Sequence, residues 1–439
     1  MFRSKKSILF SSVAVLALTT LQANAGGFAL REQSAYGQGS SFAGIAAGGA
    51  LSSMFWNPAA MTQFNGKTIE MDAAGILPSV SHSYTRSDLT TATGGLFGYA
   101  NSVSNSGDNA LLPAMYASWQ LTPQLWAGLS VNSPFGLSVS FPQAWAGAGY
   151  AQSTSVKSYN ASPSIAYKIN DMFSIAVGVQ VQYLTASYGG LANPVPVIPA
   201  TISGNGYAYG YTLGTTITPT AMTKIGIGYR SALNQKIDGT LVVSGVSTTA
   251  VSTTVPLPGL LSVGLRQGIT DRFTLLGEFE WQNWSRIGTP NVMTSTGAVA
   301  TRLPFEYSDG WFYSLGGEYA VDPLLKLRAG IAFEKSPITD QVRTPRLPDN
   351  DRMWYSVGAT YKHPQFTGLT FDLGYSYIKA KDTPINVGPG NPSATPAPPA
   401  GFGVYTGSVT SSVNIFSVAM RYQWDNAAAP APMHQRYTK

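Results

Sequence analysis

The sequence predicts an all-β fold: a 14-stranded antiparallel transmembrane β-barrel with an N-terminal hatch, or plug, inside its lumen. Three observations predict it. Apolar and polar residues alternate with period two in segment after segment. Beyond the first 25 residues no apolar run approaches the roughly 18 residues that a membrane helix needs. Charged residues make up 11% of the chain and aromatics 12%, with 23 Tyr and 9 Trp, which suits strands that present one greasy face to lipid.

Residues 1–25 have the three parts of a secretory signal peptide. Arg3, Lys5 and Lys6 form a basic start, an apolar stretch runs from Ile8 to Leu18, and Ala23-Asn24-Ala25 is a small-x-small cleavage pattern. That stretch is too short to span about 30 Å of hydrocarbon. Of 27 basic residues these three lie in the leader, leaving 24 against 21 acidic ones, so the apparent basicity shrinks to near balance and gives no nucleic-acid footprint. An exported chain with no cysteine gains nothing from disulfides.

Residues 26–66 are rich in Gly, Ala and Ser, nearly uncharged, and follow neither a strand nor a helix period. Small residues permit close backbone approach, so this stretch is expected to fill the barrel. It ends on Asn57-Pro58-Ala59, where Pro58 lacks an amide hydrogen and restricts Asn57 to extended or turn conformations.

From Lys67 the chain reads as strands, with the barrel assigned to 67–425 and a tail to 426–439. Over 173–183 the odd positions are Phe173, Ile175, Val177, Val179, Val181 and Tyr183, and the even ones Ser174, Ala176, Gly178, Gln180 and Gln182. Similar runs occupy 273–282, 325–334 and 416–424. A soluble β-sandwich also alternates, but apolar faces that end on Tyr183, Trp281 and Trp424 look like an interfacial aromatic girdle. Short turns at Thr122-Pro123, Asn170-Asp171, Pro219-Thr220, Thr270-Asp271, Asp322-Pro323 and His363-Pro364 alternate with long segments at 85–109, 141–155, 189–206, 238–258, 288–302, 336–350 and 383–410. Fourteen strands follow, with the short turns on the periplasmic rim and the long loops outside. An even count closes the wall and leaves no unpaired edge in lipid.

Two features carry functional weight. The third strand is interrupted by Asn132, Ser133, Pro134, Phe135 and Gly136; a proline there removes a ladder hydrogen bond, so the wall is expected to break and open toward lipid. The stretch around Val195, Val197 and Ile198 is apolar where a soluble loop would be polar, which marks either a contact site or a lid.

Catalytic and metal motifs are sparse. The three histidines, His82, His363 and His434, lie at no metal-ligand spacing, so no metal or cofactor is expected. His82 sits between Ser81 and Ser83, but adjacent residues of a strand point to opposite faces and cannot form a catalytic pair. Asp349-Asn350-Asp351, beside Arg346 and Arg352, suits local salt bridging or turn capping better than calcium binding.

The start Gly27-Phe28, the run Ala43-Gly44 to Ala47, Asn57-Pro58-Ala59, the break at 132–136, Glu280-Trp281-Gln282-Asn283-Trp284-Ser285 and the block 343–352 (RTPRLPDNDR) together resemble the outer-membrane long-chain fatty acid transporter family, which includes aromatic-hydrocarbon channels. The likeness covers almost the whole chain after the leader, although a tail follows Tyr422-Gln423-Trp424 where the family barrel commonly ends. It implies binding among outer hydrophobic loops, passage to an internal pocket near Phe28, a hatch core at Asn57, Pro58 and Ala59, and sideways exit through the break in the third strand. The expected function is passive uptake of hydrophobic compounds, fatty acids or aromatic hydrocarbons, by a monomer in the bacterial outer membrane, without enzyme chemistry or nucleic acid. A carboxylate solute would want an inward cation, for which Arg302 and Arg328 are candidates. An outer-membrane lipid hydrolase and a general porin are the alternatives.

Overall fold

A computed structural model describes residues 26–88, 102–194, 197–388 and 403–424. The leader, the tail 426–439 and Val195 lie outside those residues. Fourteen antiparallel strands form the wall. They are β1 (Lys67–Ser87), β2 (Ala110–Thr122), β3 (Leu125–Asn132, resumed at Gly136–Ser140), β4 (Ser153–Lys168), β5 (Phe173–Pro194), β6 (Val197–Thr220) and β7 (Thr223–Arg230, resumed at Leu233–Val243). The second half comprises β8 (Ser247–Leu257, resumed at Leu260–Gly268), β9 (Phe273–Gln282), β10 (Gly310–Ala320), β11 (Leu325–Lys335), β12 (Arg352–Lys362), β13 (Leu369–Ala380) and β14 (Tyr405–Trp424). Each pairs with the next, and β14 closes on β1 from Lys67↔Trp424 to Ser87↔Tyr405. Closure pairs the wall's backbone polar groups where lipid offers no hydrogen bond.

Alternation decides which face meets lipid. On β5, Ile175, Val177 and Val179 are about half exposed, while Ala176 between them and Gln180 and Gln182 beyond them are buried in the lumen. The same polarity holds on β14, where Phe416, Val418 and Met420 face outward and Ser417, Ala419 and Arg421 inward. Aromatic pairs across strands, such as Tyr183–Tyr207 with ring centroids 4.9 Å apart and Trp281–Trp311 at 6.4 Å, form parts of the girdle.

Two of the expected long loops are strands instead. Residues 189–194 and 197–206 belong to the tall hairpin of β5 and β6, paired out to Pro194↔Val197. Residues 238–258 include the hairpin of β7 and β8, paired out to Val243↔Ser247. Their Val, Ile and Thr content is equally the composition of strands, and Pro258 falls at the break in β8. Val197 and Ile198 therefore occupy a hairpin tip. The segment between β9 and β10 likewise carries two short strands, Asn291–Thr294 and Val299–Arg302.

Residues 26–66 pack inside the wall as one short helix, α1 (Ala35–Gln38), and three 3-10 turns. Ser34 caps α1 by accepting from the Gly37 amide at 2.9 Å. Phe42, Ile45, Ala46, Leu51 and Trp56 are essentially without solvent exposure. Room for them comes from lumenal glycines: a Cβ on Gly226 would overlap the carbonyl oxygen of Ala46, and one on Gly228 that of Trp56. The wall is therefore smallest where the inner segment's backbone touches it.

Candidate functional site

The Asn57-Pro58-Ala59 motif builds a joint between the inner segment and the wall. Asn57 caps the turn begun by Pro58, accepting from the Ala59 amide at 3.0 Å. Its amide nitrogen donates to Ala46 O at 2.8 Å and to Thr215 O on β6 at 2.9 Å. One side chain thus fixes the local turn, a neighbouring turn and the barrel.

Lumenal carboxylates and arginines hold the remainder. Arg31 pairs with Glu280 at 2.8 Å and Glu334 at 2.9 Å while lying over the Phe312 ring. Glu70 accepts from the Leu51 and Ser52 amides and pairs with Arg421. The Tyr36 hydroxyl donates to Glu318 at 2.7 Å, and Glu318 also meets Arg266, Lys326 and Arg328. These are charge-assisted bonds in a site shielded from water, where each lost partner leaves a buried charge.

The third strand breaks where the sequence has its proline. β2 and β3 pair only up to Met115↔Val131, and above that level residues 110–114 keep register with β1 alone. Residues 133–135 leave the ladder and meet the inner segment instead. Leu30 N–H donates to Pro134 O at 2.8 Å, and Gly136 N–H donates to Phe28 O at 2.9 Å, framing an antiparallel bridge between Ala29 and Phe135. Ser158 of β4 secures the displaced chain, its hydroxyl accepting from Phe135 N–H at 2.8 Å. Above the break, β3 regains partners: Ser140 N–H donates to Ser106 O at 3.0 Å, and Asp108 accepts from the Ser138 hydroxyl. The interruption is thus bounded by paired segments above and below.

Two cavities adjoin it. The outer one is lined by Phe28, Val156, Leu184, Tyr188, Ile237, Val251, Val255, Leu257 and Phe305, among others, and is overwhelmingly apolar. The inner one is lined by Leu30, Arg31, Trp56, Pro134, Phe135, Gln180, Arg230, Leu233, Leu260 and Glu280, among others. Phe28 packs edge-on against Trp284 with centroids 4.8 Å apart and lies 6.0 Å from Phe135. The N-terminal arm carrying Phe28 thus connects the outer cavity with the break. At its start Gly27 N–H donates to Asp349, whose carboxyl burial pushes above its ordinary range against the pull of Arg352.

The structure brings together Phe28, Asn132, Ser133, Pro134, Phe135 and Gly136 at this place and sets Asn57, Pro58 and Ala59 deeper, against β6. Arg328 is fully enclosed and paired with Glu318 and Asp372 at 3.5 and 3.2 Å. Arg302 is exposed, opposite Asn291 in the hairpin between β9 and β10. Neither lines either cavity. Arg230, which does, went unread; it continues the inward row Lys224, Gly226, Gly228 of β7, a signal open to the alternation argument. His82 donates to or accepts from the Ser106 hydroxyl at 2.8 Å, and its ring lies among Phe141 and Trp145.

A family model described as outer membrane protein transport protein (OMPP1/FadL/TodX) matches residues 16–424. Outer membrane protein P1 of Haemophilus influenzae is 27% identical over 411 residues, covering 82% of this chain and 87% of that protein. The long-chain fatty acid transport protein of Escherichia coli K12 is 24% identical over 428 residues, covering 86% and 94%. Among solved structures, a Pseudomonas aeruginosa FadL homologue matches with a TM-score of 0.81 at 21% identity, covering 90% of this chain and 99% of that one. The toluene transporter TodX of P. putida matches with a TM-score of 0.64 at 14% identity, covering 89% and 98%.

Proposed function

Because the chain belongs to the outer membrane protein transport protein family (OMPP1/FadL/TodX), we propose that it takes up hydrophobic compounds, fatty acids or aromatic hydrocarbons, passively and releases them sideways through the break in β3. The observation that carries the proposal is the bounded interruption at 132–136, of which Pro134 and Phe135 line the inner cavity. An apolar solute gains roughly 25 cal/mol for each Å² withdrawn from water, so the outer cavity draws it in without an energy source. Leaving through the side lets it pass from protein to bilayer without being rehydrated. Residues 26–66 act as the hatch, since their fully buried core and the Asn57 joint oppose a path along the barrel axis.

Transport also fits the surroundings of His82 better than lipid hydrolysis does. Its Nδ1 is buried and has no hydrogen-bond partner among the described residues, so the His82–Ser106 contact lacks the third group that orients the base in a hydrolase triad.

The test is the double variant Pro134→Val with Gly136→Val, which favours a continuous ladder. Uptake of a fluorescent long-chain fatty acid into vesicles should fall at least tenfold, while heat-modifiable electrophoretic mobility shows an intact barrel. Undiminished uptake by a folded variant removes lateral exit from the mechanism.

A further inference from the structure

We propose that Arg230 is an anion-recognition subsite beside the wall break, which selects amphipathic carboxylates over neutral hydrocarbons; this rests on the transport reading and names its solute class. The lumen holds several buried arginines, and Arg31, Arg266, Arg328, Arg352 and Arg421 each meet a wall carboxylate. Arg230, 5% exposed, has different company. Among the described residues its hydrogen bonds go to neutral oxygens: Gln180 Oε1 at 2.7 Å, Asn160 Oδ1 at 3.1 Å and Phe55 O at 3.3 Å. Its guanidinium also lies 4.5 Å from the Phe55 ring centroid.

Glu280 is the carboxylate in the same cavity, and it is already engaged. Arg31 donates twice to its Oε2, and Trp56 Nε1 donates to its Oε1 at 2.9 Å. The cavity therefore presents one cation neutralised by its neighbours and one that is not. A guanidinium withdrawn from water without an anion is costly, and its planar fork matches a carboxylate in two parallel bonds. A fatty acid whose headgroup sits on Arg230 has Leu233 and Leu260 around its first carbons, and Pro134 and Phe135 mark the way out. A toluene-like solute in the same place would leave the charge uncompensated.

The alternative is that Arg230 is only a strut tying Phe55 of the hatch to β4 and β5. Equilibrium binding of decanoate, decanol and toluene to the full chain in lipid nanodiscs, corrected with empty discs, separates the two. At pH 8 the unmodified protein should hold decanoate at least tenfold more tightly than decanol. In Arg230→Gln that preference should shrink below threefold, and Arg230→Lys should restore much of it. Equal weakening of decanoate and decanol in Arg230→Gln would make Arg230 a strut and overturn the proposal. No preference in the unmodified protein would also overturn it while leaving transport standing. Failure to hold any of the three compounds would instead sink the transport reading itself. Should Arg230→Gln not fold, the unmodified protein decides: decanoate binding should fall about tenfold as pH drops below the carboxyl's ordinary range near 4, while decanol binding stays level. A level decanoate profile refutes the subsite.

Discussion

Phe28→Ala should loosen the N-terminal arm without unfolding the barrel. Phe28 is 4% exposed and packed against Trp284, Phe135 and Phe305. Truncating a buried Phe to Ala removes about 3 kcal/mol, the lower end of the usual range, because the outer cavity already lies on one side of the ring. Two main-chain bonds, Leu30 N–H to Pro134 O and Gly136 N–H to Phe28 O, depend on the arm staying docked. At about 1.4 kcal/mol per decade, the undocked population should rise on the order of a hundredfold. Hydrogen exchange in nanodiscs reads this directly. The Leu30 and Gly136 amides should lose about two decades of protection together, since both belong to one bridge, while amides of β5 and β6 remain unchanged. Unchanged protection, or loss at only one of the two, would refute the view that Phe28 anchors this arm as a unit.

Two other changes probe the hatch and the wall. Gly226→Val places its Cβ on the carbonyl of Ala46, where only backbone can yield, so the hatch should be displaced at a cost of about 3 kcal/mol, the upper end of the usual range; steady ion conductance in planar bilayers, well above that of the parent, is the expected signal, and parental conductance would count against the packing argument. Val179→Arg puts a charge on the lipid face near mid-membrane, as Val179 is 53% exposed among Ile175 and Val177, and should cost about 2–4 kcal/mol in guanidinium-driven unfolding from vesicles; an unshifted midpoint would reassign that face.

Much of this molecule is written in its alternation. The inward and outward rows of β5, β9, β11 and β14 follow from the period of two, and the six short turns fix the strand order because antiparallel neighbours need little chain to join them. Pro134 pointed to the break because a proline cannot donate to the ladder, although Pro78 and Pro113 stay within continuous strands. The tall hairpins of β5–β6 and β7–β8 were misread because period two says nothing about where a strand leaves the membrane, and Pro and Gly near a tip look like loop chemistry.

Pairing among charges was the least legible part. Arg328 and Arg230 both occupy inward positions, and no local pattern separates them. What does is the barrel's closure, which sets Glu318 and Asp372 beside Arg328, and Gln180 and Asn160 beside Arg230. Cross-strand neighbours decide whether a buried cation is spent on the fold or left for a solute, and that information exists only once register is known. Function in this barrel therefore lies less in which residues point inward than in which inward charge the wall leaves unanswered.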